Sequence, residues 1–398
     1  MYFFRFTPNI IIRFAENPIL RMKNSFSSPT IAVHAGSHGD PQFKGAATPL
    51  YPASAYDYEG RPTLYPRYYN TPNLVAASEK VAALEGAEAG LMFSSGMSAI
   101  ITGILSVVKQ GDHVIFQSDL YGGTYYSVST ELPRLGISIS MVDASNPQNF
   151  AQAIRPETKL IYIETPSNPT LKITDIKAVA NIAKAKGILT MIDNTFASPV
   201  NQNPIALGID MVAHSGTKYI GGHSDLCCGF LVTSKSLLQN ILSKAINYGG
   251  SADANTAWLV ERSLKTIVLR VKQQNQNAHW LAEKLASDNR VKAVYYPGLE
   301  NHPHYAIAKA QMSGGFGGMV SFETKENAHE FMSRLKVIKR ALSLGGVEST
   351  MCSPMKTSHS KMTAEERKAI GVADNLVRFS VGIEEAKDLW EDINQALA

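Results

Sequence analysis

From about residue 73 onward, short apolar runs alternate with stretches of helical pattern. Residues 73–88, rich in Ala, Leu, Glu and Lys, predict a helix, 90–93 a short strand, and 96–108 a second helix. Strand-like runs recur at 113–117, 137–142, 160–164, 188–192, 211–214 and 228–232, with helical stretches such as 176–186 between several of them. Near-continuous apolar runs are the mark of strands buried on both faces, and the helices between them cover those faces. The pattern therefore predicts an α/β fold, a mostly parallel sheet flanked by helices. A long helical region over 255–288 follows. Beyond it, strand-like segments at 294–296 and 318–322 and helical ones at 361–370 and 383–397 predict a smaller α+β C-terminal domain. The stretch 22–72 is rich in Pro, Tyr and Gly without clear periodicity, and reads as an extended arm contacting a partner subunit. The expected division is thus arm 22–72, large domain 73–265 and C-terminal domain 266–398.

The first 21 residues do not fit this pattern. Arg5, Arg13 and Arg21 lie among Phe, Ile and Pro, with Glu16 interrupting. The apolar runs are too short to span a membrane, and no small-residue cleavage site follows a continuous apolar core. A disordered leader or an over-extended start is the expectation, with a basic organelle-targeting peptide as the alternative.

Composition narrows the class. The 398 residues are 44% hydrophobic and 18% charged, with 29 Gly and 19 Pro, as expected of a soluble protein with a large core. A net charge of +4 without a Lys/Arg block gives no support to nucleic-acid or membrane-surface binding. Cys227, Cys228 and Cys352 are odd in number, and the adjacent pair is expected in a strand. They suit reduced thiols in a cytoplasmic protein. The ten histidines are dispersed, and neither they nor the cysteines show metal-ligand spacing, so no metal is expected.

Twenty-five residues separate Asp193 from Lys218, and each follows an apolar run that reads as a buried strand. Ligands of such sheets sit at the carboxyl ends of the strands. A carboxylate and a lysine there are what pyridoxal 5'-phosphate (PLP) needs: the amine forms a Schiff base with the aldehyde, and the carboxylate keeps the pyridine nitrogen protonated. Alone, Asp193 could be a helix N-cap and Lys218 a surface lysine. Ser94-Ser95-Gly96-Met97-Ser98 joins a strand to a helix, where free N–H groups bind an anion, although a plain serine-capped turn would look the same. Ser215 and Thr217 add hydroxyls beside Lys218. Asn168, otherwise a turn residue before proline, could bond the cofactor's ring oxygen or a substrate carboxylate. Tyr121 offers a flat ring for the pyridine and a phenol for acid/base work.

At these residues the chain resembles the Cys/Met-metabolism family of PLP enzymes, which includes cystathionine γ-synthase, cystathionine γ-lyase, methionine γ-lyase and the O-acylhomoserine sulfhydrylases. The resemblance runs from about residue 30 to the C-terminus. It rests on Ser95-Gly96-Met97, Tyr121-Gly122-Gly123, Thr165-Pro166-Ser167-Asn168-Pro169, Asp193-Asn194-Thr195-Phe196, Ser215-Gly216-Thr217-Lys218-Tyr219, Tyr296-Pro297-Gly298-Leu299, the stretch from Ser343 to Ser349, and Val377-Arg378-Phe379-Ser380-Val381-Gly382.

The resemblance implies an aspartate-aminotransferase-like fold (PLP fold type I) in homotetramers built as dimers of active dimers. It implies Lys218 as the Schiff-base lysine, Asp193 as partner of the pyridine nitrogen, and Gly96, Met97, Ser215 and Thr217 at the phosphate. Tyr65 and Arg67 would reach the neighbouring subunit's phosphate. Arg378 would clamp the substrate carboxylate, helped by Ser343 and Asn168, and Tyr121 would protonate the leaving group. Cystathionine-handling members tend to carry glutamate where this chain has Leu64 and Leu342, which implies an apolar distal pocket suited to methionine, homocysteine or a small thiol. Against this, Gly123 stands where many methionine γ-lyases have cysteine, and Pro66 departs from the usual Tyr-Ser-Arg. A carbon–sulfur lyase acting by γ-elimination is the expectation, with a γ-replacement transferase as the alternative.

Overall fold

The computed structural model describes residues 26–397 apart from 41, 60–62, 358–370 and 372. The expected leader over 1–21 and the expected helix over 361–370 lie outside these residues. Seven strands form the larger sheet: β1 (Ala89–Phe93), β2 (His113–Gln117), β3 (Ser138–Val142), β4 (Thr158–Glu164), β5 (Leu189–Asp193), β6 (Met211–Ser215) and β7 (Gly229–Thr233). Their order is β1-β7-β6-β5-β4-β2-β3. β7 runs antiparallel to both its neighbours, while β6, β5, β4, β2 and β3 are parallel. The mostly parallel sheet predicted from the apolar runs is present, and its helical crossovers put the ends of β4, β5 and β6 along one edge.

Alternation along each strand divides the core. Leu189 and Met191 of β5 join the layer that contains α3 (Gly96–Val107) and α4 (Gly122–Arg134), and Ile192 joins the opposite layer with α2 (Pro72–Glu85). Fully burying such side chains stabilises by roughly 1.5–3 kcal/mol each. α2 starts on Pro72 at its first position and stops at Gly86, whose φ of 71° is left-handed. Five further strands form the smaller sheet, in the order β10-β11-β12-β9-β8: β8 (Val291–Tyr295), β9 (Met319–Thr324), β10 (Lys339–Arg340), β11 (Thr350–Cys352) and β12 (Leu376–Ser380).

Four expectations change. The arm carries a helix, α1 (Ser28–His34), whose seven residues are too few to show a period. The region read as one helix over 255–288 is two, Ala254–Leu264 and Ile267–Ala286, broken at Lys265 and Thr266. Cys227 and Cys228 precede β7 rather than lying within it, because the chain must first return from the Lys218 turn. Asp193 is the last residue of β5 and not one past it. No described helix is long and apolar enough to cross a membrane, and no group of His, Cys, Asp or Glu among the described residues could hold a metal.

Candidate active site

The strand ends bring together residues far apart in sequence. Ser95 caps α3, its Oγ accepting from Ser98 N–H at 3.1 Å while its carbonyl takes the Ala99 N–H at 3.2 Å. The N–H groups of Gly96 and Met97 are left for an anion at the helix start. Gly96 is packed onto Ser215 at the end of β6, where an added Cβ would come within 2.8 Å of the Ser215 Cβ. Ser215 N–H in turn donates to Thr195 Oγ1 at 2.8 Å. The hydroxyl of Thr217, expected at the phosphate, bridges to Cys228 here, donating to the carbonyl at 3.3 Å and accepting from the N–H at 3.1 Å. That bridge closes the turn that carries Lys218.

Lys218 Nζ donates to Ser343 Oγ at 2.8 Å. Burial, together with the nearby Arg378 charge, lowers the Lys218 amine to about 8, against opposing pulls from Cys227 and Asp193. Arg378, buried on β12, donates from Nη1 to Asn168 Oδ1 and from Nη2 to the Ser343 carbonyl, both at 3.1 Å. Among the described residues no carboxylate pairs with Arg378, so its charge is available to a bound one. Asp193 is 7% exposed and its carboxylate accepts the Thr195 N–H at 2.9 Å. Burial raises its pKa, while Thr195, His214 and Lys218 pull the other way.

Tyr121 stands at the N-terminus of α4, 44% exposed, with its ring over Gly123, where an added Cβ would come within 2.6 Å of the ring. Tyr65 and Arg67 lie on an exposed turn, Arg67 Nη1 donating to the Ile246 carbonyl at 2.8 Å. The Tyr65 N–H donates to Asn70 Oδ1 at 2.9 Å and the Arg67 guanidinium lies over the Tyr65 and Tyr68 rings, so these contacts are local to the turn and to Ile246. A cavity of about 640 Å³ at the opposite end of the sheet, by Leu189, Asp210 and Thr233, contains none of the candidate residues.

Sequence reading gave no role to four buried polar residues. Glu164, at the end of β4, accepts the Tyr121 N–H on Oε2 at 2.8 Å. His214 Nε2 and Asn194 Nδ2 both lie 2.7 Å from Glu85 Oε1 behind Asp193. A histidine and a glutamate inside otherwise apolar buried elements were the available signal.

These groups fit PLP: an amine of lowered basicity, a buried carboxylate, a helix start with free N–H groups, and an exposed flat ring. The family model for Cys/Met metabolism PLP-dependent enzymes matches residues 29–398. The chain belongs to this family. It is similar to a cystathionine γ-lyase of Bacillus subtilis (strain 168), 44% identical over 92% of this chain and 98% of that protein. A cystathionine β-lyase of Lactococcus lactis subsp. cremoris (strain MG1363) is also 44% identical, over 93% of this chain and 99% of its own. Among solved structures, cystathionine γ-synthase from Xanthomonas oryzae pv. oryzae, in complex with aminoacrylate and cysteine, superposes with a TM-score of 0.90 at 37% identity, covering 94% of this chain and 98% of that one. The chain is therefore a PLP-dependent enzyme of sulfur amino-acid metabolism with the fold the sequence led one to expect.

Proposed function

We propose that this enzyme is a carbon–sulfur lyase that acts by γ-elimination on methionine, homocysteine or cystathionine, taking up water and releasing 2-oxobutyrate, ammonia and a thiol. What carries this reading is Leu342, 67% exposed and next to Ser343, the residue that bonds both Lys218 and Arg378. The resemblance puts Leu64, beside Tyr65, at the same distal end, which would then be apolar. Such a surface suits a thioether or thiol leaving group and, giving no charged hold to a second amino acid, favours methionine and homocysteine over cystathionine.

In this reading Lys218 holds PLP by its amine, Asp193 engages the pyridine nitrogen, and Gly96, Met97 and Ser215 receive the phosphate. Thr217 acts through the turn it closes. Bound PLP supplies an electron sink for the charge left on Cα. Arg378 grips the substrate carboxylate with a fork that Asn168 and the Ser343 carbonyl hold in place, which fixes direction as well as charge. The Lys218 amine, with a pKa of about 8, can take and return a proton at Cα near neutral pH. The Tyr121 phenol donates to the departing sulfur. Tyr65 and Arg67, exposed on one protomer, complete the phosphate site of a neighbour, so the working unit is a dimer and the assembly a homotetramer. Three unpaired cysteines suit a cytoplasmic location.

The second reading is γ-replacement, favoured by the likeness to the Xanthomonas synthase. The deciding experiment measures 2-oxobutyrate from L-methionine, L-homocysteine and cystathionine, with PLP and no second substrate. Rapid release supports the lyase. No release, with product formed from an O-acylhomoserine and a thiol, would establish replacement instead. Pyruvate from cystathionine would overturn the γ-position in favour of β-elimination.

A further inference from the structure

Two carboxyl groups lie side by side beneath the site. Glu164 ends β4, Asp193 ends β5, and the parallel register pairs them directly. Neighbouring strands are about 4.8 Å apart, and alternation puts both side chains on the face of Tyr162 and Met191. Glu164 is 4% exposed and Asp193 7%. Two carboxylates buried in this way cannot both ionise cheaply, so one of them keeps a proton.

Their surroundings differ. Asp193 faces His214, Lys218 and two hydrogen bonds from Thr195. Glu164 faces Asp193, Asp119 and the phenol of Tyr162, and receives only the backbone N–H groups of Tyr121 and Asn168. Asp119 is itself paired with Lys172 at 2.8 Å. Burial and the Asp193 charge both push Glu164 well above the ordinary carboxyl range. Because the Tyr121 N–H is bonded to Glu164, the main chain at the head of α4 hangs on the residue in register with Asp193.

We propose that Glu164 is a positioning residue that carries the one proton of this pair, leaves the negative charge on Asp193, and through the Tyr121 N–H fixes the Tyr121 ring relative to that charge. It acts on the cofactor through its neighbours and touches neither cofactor nor substrate. The inference rests on Asp193 serving the pyridine nitrogen and Tyr121 the ring face.

The test uses the holoenzyme with Glu164→Gln and Glu164→Ala. The infrared difference between wild type and Glu164→Gln at neutral pH should show the carbonyl band of a protonated buried carboxyl. A carboxylate band in its place would overturn the charge assignment. Glu164→Ala removes the acceptor and should weaken PLP binding about tenfold and alter the visible circular dichroism of the bound cofactor, while Gln, which keeps an uncharged acceptor, restores both to within about twofold. Unchanged binding and dichroism in the alanine variant would overturn the positioning role. If alanine prevents folding, the glutamine variant decides: a shift of about one unit or more in the pH midpoint of the cofactor's absorbance would overturn the proposal, because it would mean that Glu164 carried charge. Asp193→Asn is measured in parallel. An unaltered cofactor spectrum there would remove the ring assignment and leave the infrared result standing.

Discussion

Lys218 and Ser343 are joined amine to hydroxyl at 2.8 Å across 125 residues of chain. Ser343 holds φ at 76° without being glycine, and its carbonyl accepts from Arg378 at 3.1 Å. One residue thus sets the direction of both the amine and the guanidinium, and its strained backbone costs on the order of 1–3 kcal/mol. Ser343→Ala removes the hydroxyl and keeps the strain, whereas Ser343→Gly removes both. Since one hydrogen bond contributes about 0.5–1.5 kcal/mol, both variants should lose roughly two- to tenfold in kcat/KM. The glycine variant should melt at a higher temperature than the alanine one. Full kcat/KM in Ser343→Gly would show that the hydroxyl has no part in aiming the amine.

The Lys218 amine reacts with the aldehyde only when uncharged. With its pKa lowered from 10.5 to about 8, chiefly by burial and then by Arg378, the free fraction rises about tenfold per unit below that point. PLP uptake by the apoprotein should therefore accelerate with rising pH and level off beyond about 8. Arg378→Met removes a positive neighbour and makes the amine more basic, so its midpoint should move to higher pH. Stopped-flow absorbance across the range checks both. A wild-type midpoint near 10.5, the ordinary lysine value, would contradict the buried amine.

Gly96 tests the phosphate cradle by sterics. A Cβ there would meet the Cβ and Cα of Ser215 at 2.8 and 2.9 Å, so the start of α3 must move off the end of β6. Gly96→Ala should bind PLP at least about tenfold more weakly, the cost of losing on the order of one hydrogen bond to the phosphate. Gly187→Ala is the comparison: its φ of 65° makes the variant strained, but nothing lies within 4 Å of the new methyl. It should lose stability by about 1–2 kcal/mol and leave PLP affinity alone. Equal PLP affinities in the two variants would place the phosphate elsewhere.

How far these features could be read from sequence follows from the range of each contact. The strands of the larger sheet are buried on both faces, so their apolar runs stand out, and Asp193 is conspicuous for ending one and Lys218 for following another in the turn after Ser215. Ser343 and Arg378 could be connected with the site only through the family motifs, because their partners Lys218 and Asn168 lie 125 and 210 residues away. Periodicity reports which face a residue takes and says nothing about what meets it there. For the same reason Glu164 read as the last residue of a strand, and the commitment of the Thr217 hydroxyl to Cys228, made only when the turn closes, left no trace in the residue pattern.

Lys80 shows that the arm is held by a buried charge. Its side chain is wholly buried on α2, and Nζ donates to the carbonyls of Ala32 and Val33 at 3.1 and 3.2 Å and to Ser37 Oγ at 3.1 Å. Ser37 and Thr48 each donate to Glu261 Oε1, at 2.8 and 2.9 Å, so arm, α2 and the helix Ala254–Leu264 share one cluster. Burial lowers Lys80 from 10.5 to about 8, although Glu261 opposes the shift. Between those pH values the unfolded chain therefore binds a proton that the folded chain does not, and this group's contribution to stability grows as pH rises. Lys80→Met has no such titration and leaves three acceptors without a donor, so it should be less stable at neutral pH. Urea unfolding should show the wild-type advantage widening between about pH 8 and pH 10, by at most ~3 kcal/mol. An advantage that stayed constant across that range would mean that Lys80 titrates normally and that the charge is not what the burial costs.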